Sequence, residues 1–70
     1  MTEKTAHAAA KDFLIKQKLS DRYFLDDPVI HKIDGEFYVE FQDKQEDTEP
    51  GVCIIAIDKN TGTPRLEPVE

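Results

Sequence analysis

Seventy residues with a single cysteine and a net charge of −6 describe one small domain, and they exclude a disulfide-stapled secreted scaffold. A domain of this size buries only about 60% of the surface its unfolded chain exposes, so a deep catalytic cavity would consume much of its core. The charge is lopsided: residues 1–20 carry four Lys against Glu3 and Asp12, a net of +2, and residues 21–70 carry five basic against thirteen acidic residues, a net of −8.

The pattern over residues 3–19 predicts a helix. Ala6, Ala9, Ala10, Phe13 and Gln17 fall on one face with Leu14 at its margin, the spacing of an amphipathic helix. Thr2 or Thr5 can cap its start, and Glu3 near the start with Lys16 and Lys18 near the end suit the macrodipole. His7 falls away from the apolar stripe. Ile15 lies on the opposite side, either as a lone exposed apolar residue or as part of a contact. Residues 20–27, SDRYFLDD, are expected to connect helix to sheet, with Tyr23, Phe24 and Leu25 returning as a lid on the end of the core. Asp26-Asp27-Pro28 ends any helix, because the residue before proline avoids the α region.

Residues 30–41, IHKIDGEFYVEF, predict a β-hairpin closed by Asp34-Gly35, a preferred pair for a type I′ turn. With strands from about 28 to 33 and from 36 to 41, Ile33 faces Glu36, Lys32 faces Phe37, His31 faces Tyr38 and Ile30 faces Val39. Residues directly opposite share a face. Ile30, Phe37, Val39 and Phe41 therefore form the better core face. Val29, His31, Ile33, Tyr38 and Glu40 turn outward. Residues 42–50, QDKQEDTEP, read as an acidic loop. Val52–Ile57 is a continuous apolar run, as in a strand with both neighbours paired or both faces buried. Residues 58–62 form a turn, in which Asn60 and Gly62 tolerate positive φ. Residues 63–66 offer a short fourth strand, restricted by Pro64 to an edge or bulge, and residues 67–70 a frayed tail. The expected fold is α+β in two layers: one N-terminal helix on a three- to four-stranded antiparallel sheet, with residues 28–66 as the sheet and 1–70 as one domain.

Chemistry-bearing motifs are sparse. Glu36, Glu40 and Asp26-Asp27 lack the apolar context that would shift a carboxyl pKa for acid–base work. Asp58-Lys59-Asn60-Thr61-Gly62 fails as a calcium loop, since Thr63 stands at position six and Val69 at position twelve, where Gly and Glu are needed. His7 and His31 are too few for a zinc site. Cys53, flanked by Val52 and Ile54, reads as a half-buried structural residue. No nucleophile-elbow or phosphate-cradle motif occurs, so neither an enzyme nor a cofactor is expected. No apolar run approaches the roughly 20 residues of a membrane span, and residues 1–13 lack a signal-peptide apolar core. The expected location is cytoplasmic, or periplasmic where a leader has been removed.

Val29, His31, Ile33 and Tyr38, rimmed by Glu36, Glu40 and the loop acids Glu46, Asp47 and Glu49, have the anatomy of a protein interface, an apolar centre with a charged rim. A second copy of the chain would fit the same face. The acidic balance repels nucleic-acid phosphates and favours a basic protein partner, although solubility alone accounts for the same imbalance.

The helix with Ala6 and Ala10, the step Phe37-Tyr38-Val39, and Gly51 followed by a strand ending Ile57-Asp58-Lys59 with Gly62 resemble small bacterial polymorphic-toxin immunity proteins of the cystatin-like, nuclear-transport-factor-like group. The turn from Asp58 to Gly62 is also similar to that of PepSY-like domains. The first resemblance implies binding and inhibition of a toxin partner without catalysis. The second implies a structural domain, acting here through homodimerisation.

Overall fold

A computed structural model describes residues 2–45 and 51–67. Its elements are α1 (Glu3–Lys16), β1 (Tyr23–Ile33), β2 (Glu36–Asp43), β3 (Val52–Asp58) and β4 (Pro64–Glu67). The four strands form one antiparallel sheet in the order β1-β2-β3-β4, and α1 lies on one side of it. This is the expected α+β arrangement, with the sheet starting at Tyr23 rather than at 28.

The helix starts where Thr2 accepts the Thr5 N–H at 3.2 Å, satisfying one of the donors a helix leaves unpaired at its N-terminus. It ends three residues short of the expected Leu19. Lys18 takes φ 61, and the Leu19 N–H reaches the Leu14 carbonyl at 2.8 Å while the Lys18 N–H reaches that of Ile15 at 3.1 Å. This pair of bonds is a Schellman closure with a left-handed residue just past the helix. It returns Leu19 to the core, against which it packs half-buried.

The buried line of the helix is Ala6, Ala10 and Leu14, each fully covered, with Ala9 and Phe13 half-buried beside it. Leu14 is thus central rather than marginal, and Gln17 is exposed. The rotation covers an aliphatic side chain worth about 1.5–3 kcal/mol on burial and leaves an amide in water. The alanines let the helix sit close above Val39, Phe41, Ile55 and Ile57, all fully buried on the facing side of the sheet.

The hairpin register is as expected: Ile33 pairs with Glu36, Lys32 with Phe37, His31 with Tyr38 and Ile30 with Val39. The turn type differs. Gly35 has φ 81, and Asp34 is not among the positive-φ residues, so the turn follows the type II pattern rather than I′. A type II turn matches strand twist poorly. Here a neighbour holds it, since the Lys59 N–H donates to the Gly35 carbonyl at 2.9 Å.

Residues 23–25 are not a lid. Tyr23 and Phe24 pair with Asp43 and Gln42, extending both strands, and the register then shifts before Val29 pairs with Glu40. Four residues, 25–28, thus oppose Phe41 alone in a wide bulge. Asp27 enters the left-handed region at φ 54, and Pro28 occupies a site on the edge strand, where its missing N–H leaves no ladder bond broken. Strand β3 is central, as its apolar run implied. Pro64 opens the edge strand β4 opposite Ile57. Glu67, expected in a frayed tail, pairs with Ile54; the rest of that tail, 68–70, lies outside the described residues.

Candidate functional site

Alternation along β1 and β2 puts Val29, His31, Ile33, Glu36, Tyr38 and Glu40 on the side of the sheet away from α1. Their cross-strand pairs are Val29 with Glu40, His31 with Tyr38 and Ile33 with Glu36. Val29 and Ile33 are each 47% exposed, Tyr38 is half-buried, and no other described element covers this face. Six of the nine residues expected at an interface are therefore brought together. Glu46, Asp47 and Glu49 lie outside the described residues.

The other half of the face comes from β3 and β4. Tyr38 stands beside Ala56 and Ala56 beside Arg65, while Glu40 stands beside Ile54 and Ile54 beside Glu67. Arg65 reaches across Ala56 to make a fork of two bonds to Glu36, one of them at 3.1 Å, and bonds Glu67 at 3.2 Å. Ala56 is fully buried although it faces away from the helix, because the Tyr38 ring and the Arg65 arm flank it. The Glu36 carboxylate beside Arg65 pushes the guanidinium pKa up from its ordinary value. His31 Nε2 stands 4.0 Å from Glu40 Oε1. Of the charged rim expected from Glu36 and Glu40, Glu36 is thus paired with Arg65, while among the described residues Glu40 has only His31 near it as an ion-pair partner. Arg65, Ala56 and Ile54 were not legible as site residues, because the pairing of β3 and β4 depends on turn geometry. Alternation within each strand was the only available hint.

The remaining perturbed groups are shifted by burial or by hydrogen bonds within the fold. Asp43, with a side chain only 1% exposed, accepts from the Gln45 N–H at 2.8 Å and from Arg22 Nε at 2.9 Å. These bonds, the backbone one first, hold its carboxyl below the ordinary carboxylate value. Burial pushes the Cys53 thiol up, away from the thiolate that nucleophilic chemistry requires, and burial likewise raises Tyr23. Cys53 is fully rather than half-buried, facing the core opposite Phe41. At the 58–62 turn, Asp58 Oδ1 accepts the Asn60 and Thr61 N–H groups at 2.7 and 3.0 Å. Those bonds lower its pKa and give the side chain a turn-forming role.

His7 departs from its expected place. Its Nε2 lies 2.7 Å from the Leu25 carbonyl and its ring centroid 6.1 Å from that of Phe41. A carbonyl only accepts, so Nε2 carries the hydrogen. The helix thereby satisfies a carbonyl that the bulge removes from the ladder. Among the described residues no group of three or more His, Cys, Asp and Glu could hold a metal ion, and no helix is long and apolar enough to cross a membrane. No protein family is matched by this chain, and no curated protein or solved structure is significantly similar to it.

Proposed function

We propose that this chain is a non-catalytic protein-binding domain that meets its partner with the sheet face opposite α1. In its sharper form it is an immunity protein that inhibits a basic toxin domain in the cytoplasm. The observation that carries the reading is the one-sided layering: the helix covers one face, and the other presents Val29 and Ile33, each 47% exposed, beside Tyr38. An apolar and aromatic centre within a hydrogen-bonded charged frame is what a specific protein interface needs.

The second reading is a PepSY-like or structural domain that dimerises through the same face, supported by the same apolar residues. Charge favours the first. Glu36, Glu40 and Glu67 outnumber Arg65 on this face, and two copies would bring like charges together, which costs affinity.

The test is co-expression with each candidate toxin encoded beside this gene. Protection and a stable one-to-one complex are expected, with both lost on Tyr38→Asp while the fold is retained. Absence of a complex and of protection with every neighbouring toxin overturns the immunity reading. A two-chain mass in light scattering that Tyr38→Asp converts to one chain establishes the homodimer instead.

A further inference from the structure

Among the described residues, four of the five large apolar side chains left exposed lie on or beside β1: Ile15, Phe24, Val29 and Ile33. Val29 and Ile33 belong to the sheet face. Ile15 and Phe24, 57% and 54% exposed, border an open groove of about 650 Å³ between the end of α1 and the first half of β1. Leu25 also lines it, and Asp21, Asp26 and Asp27 stand around it. The bulge that follows Phe24 places two of these carboxylates beside the ring.

The charges say what such a groove would accept. Several other carboxylates of the described residues are compensated internally: Asp12 by Lys16, Asp43 by Arg22, Glu36 and Glu67 by Arg65, and Asp58 by backbone N–H groups. Among the described residues, the side chains of Asp21, Asp26 and Asp27 make no hydrogen bond or ion pair. The one cation among the groove's lining residues, Lys44, holds its Nζ 5.9 Å from the centre of the Phe24 ring, a distance at which the ring can attract an ammonium group. Three carboxylates against one lysine leave the groove net negative. Its apolar wall suits the methylene stem of a long basic side chain, and its rim suits the charged head.

We propose that this groove takes a lysine- or arginine-bearing segment of the protein partner, as a second anchor beside the sheet face. The inference rests on the protein-binding reading and gives that partner a chemistry and a second address. Ile15 and Asp21 lie off the face through which the domain is proposed to bind, whereas Phe24, paired with Gln42, and Asp26 and Asp27, which share a hollow with Val29 and Glu40, adjoin it; substitutions at Tyr38 and at Phe24 therefore test the two contacts separately.

The experiment is a titration of the ¹⁵N-labelled full chain at low salt with a seven-residue peptide of alternating lysine and leucine. The corresponding glutamate–leucine peptide is the control. Amide shifts at Ile15, Phe24, Asp26 and Asp27 are expected with the basic peptide alone. Affinity is expected to fall about tenfold in Phe24→Ala and in the double variant Asp26→Asn with Asp27→Asn. Both variants should keep the fold, since Phe24 is exposed and Asn tolerates the left-handed backbone at 27; the amide spectrum itself reports this. Shifts centred on Val29, His31 and Tyr38 overturn the groove and leave the sheet-face reading standing. Equal affinity of wild type and variants, or no binding at millimolar peptide, also overturns it. So does a concentration-dependent shift of the same groove residues without peptide, which assigns the groove to a second copy. The sheet-face reading is judged separately, by Tyr38→Asp against the toxin.

Discussion

His7 and Asp43 are polar side chains that each bond a partner far away in the chain. Each ties an irregular segment to the regular fold. His7 donates from α1 to the Leu25 carbonyl in the bulge, so His7→Ala leaves that part-buried carbonyl unpaired and removes the ring from Phe41. A loss of about 1–3 kcal/mol is expected, read from the urea midpoint. Asp43 links the end of β2 to Arg22 and to the Gln45 N–H. Its folded-state pKa lies below the ordinary value, so its contribution is complete above about pH 4. That contribution is lost as the pH falls through the folded value. The denaturation midpoint should therefore drop more steeply on acidification in the wild type than in Asp43→Asn. Asp58, shifted in the same direction, keeps a residual slope in the variant.

Elements are ended and joined here by left-handed backbone conformations, one at a lysine and one at a glycine. The α1 closure puts Lys18 at φ 61, a region that costs a residue with a Cβ about 1–2 kcal/mol. Lys18→Gly removes that cost, partly offset by glycine's larger unfolded-state entropy. A net gain of about 0.5–1 kcal/mol is expected in thermal or urea unfolding. The β1–β2 turn gives the opposite sign. Gly35 has φ 81 with nothing near the position a Cβ would take, so Gly35→Ala loses stability through backbone strain alone. A loss of about 1 kcal/mol is expected; a gain in the urea midpoint would contradict the positive φ. The hairpin's pairing was legible because Asp-Gly between two alternating runs permits few registers. Its turn type was not, because the Lys59 N–H that holds Gly35 comes from the far end of β3.

At the scale of the molecule, stability rests on one thin layer between helix and sheet. A chain of this length carries only about 4–10 kcal/mol in total. Leu14 is the largest fully buried side chain of α1, and Leu14→Ala is expected to cost about 2–5 kcal/mol. That loss would leave a large unfolded fraction near the melting range in circular dichroism. By contrast Tyr38→Asp changes the open face and should cost about 1 kcal/mol, a fall in melting temperature of about 4–8 °C. The two variants separate the layer that holds the fold from the layer proposed to meet a partner.

Local patterning determined the element order, the antiparallel pairing of the hairpin and the division of its residues into a helix-facing and an open face. Each of these follows from periods of 3.6 and 2, which are properties of short stretches. Tertiary structure decided the rest. It rotated α1 to bury Leu14 in place of Gln17, because the helix turns to whichever residue gains most from the sheet. It drew Tyr23 and Phe24 into β1 against Asp43 and Gln42, a pairing set by the size of a bulge that periodicity does not encode. It also carried Arg65 across Ala56 to Glu36, pairing one carboxylate of the rim that the sequence presents as acidic. The same pairings left Asp21, Asp26 and Asp27 without internal partners around Phe24. Whether a carboxylate is free or paired depends on which distant cation the fold delivers to it, and that is a property of the assembled sheet.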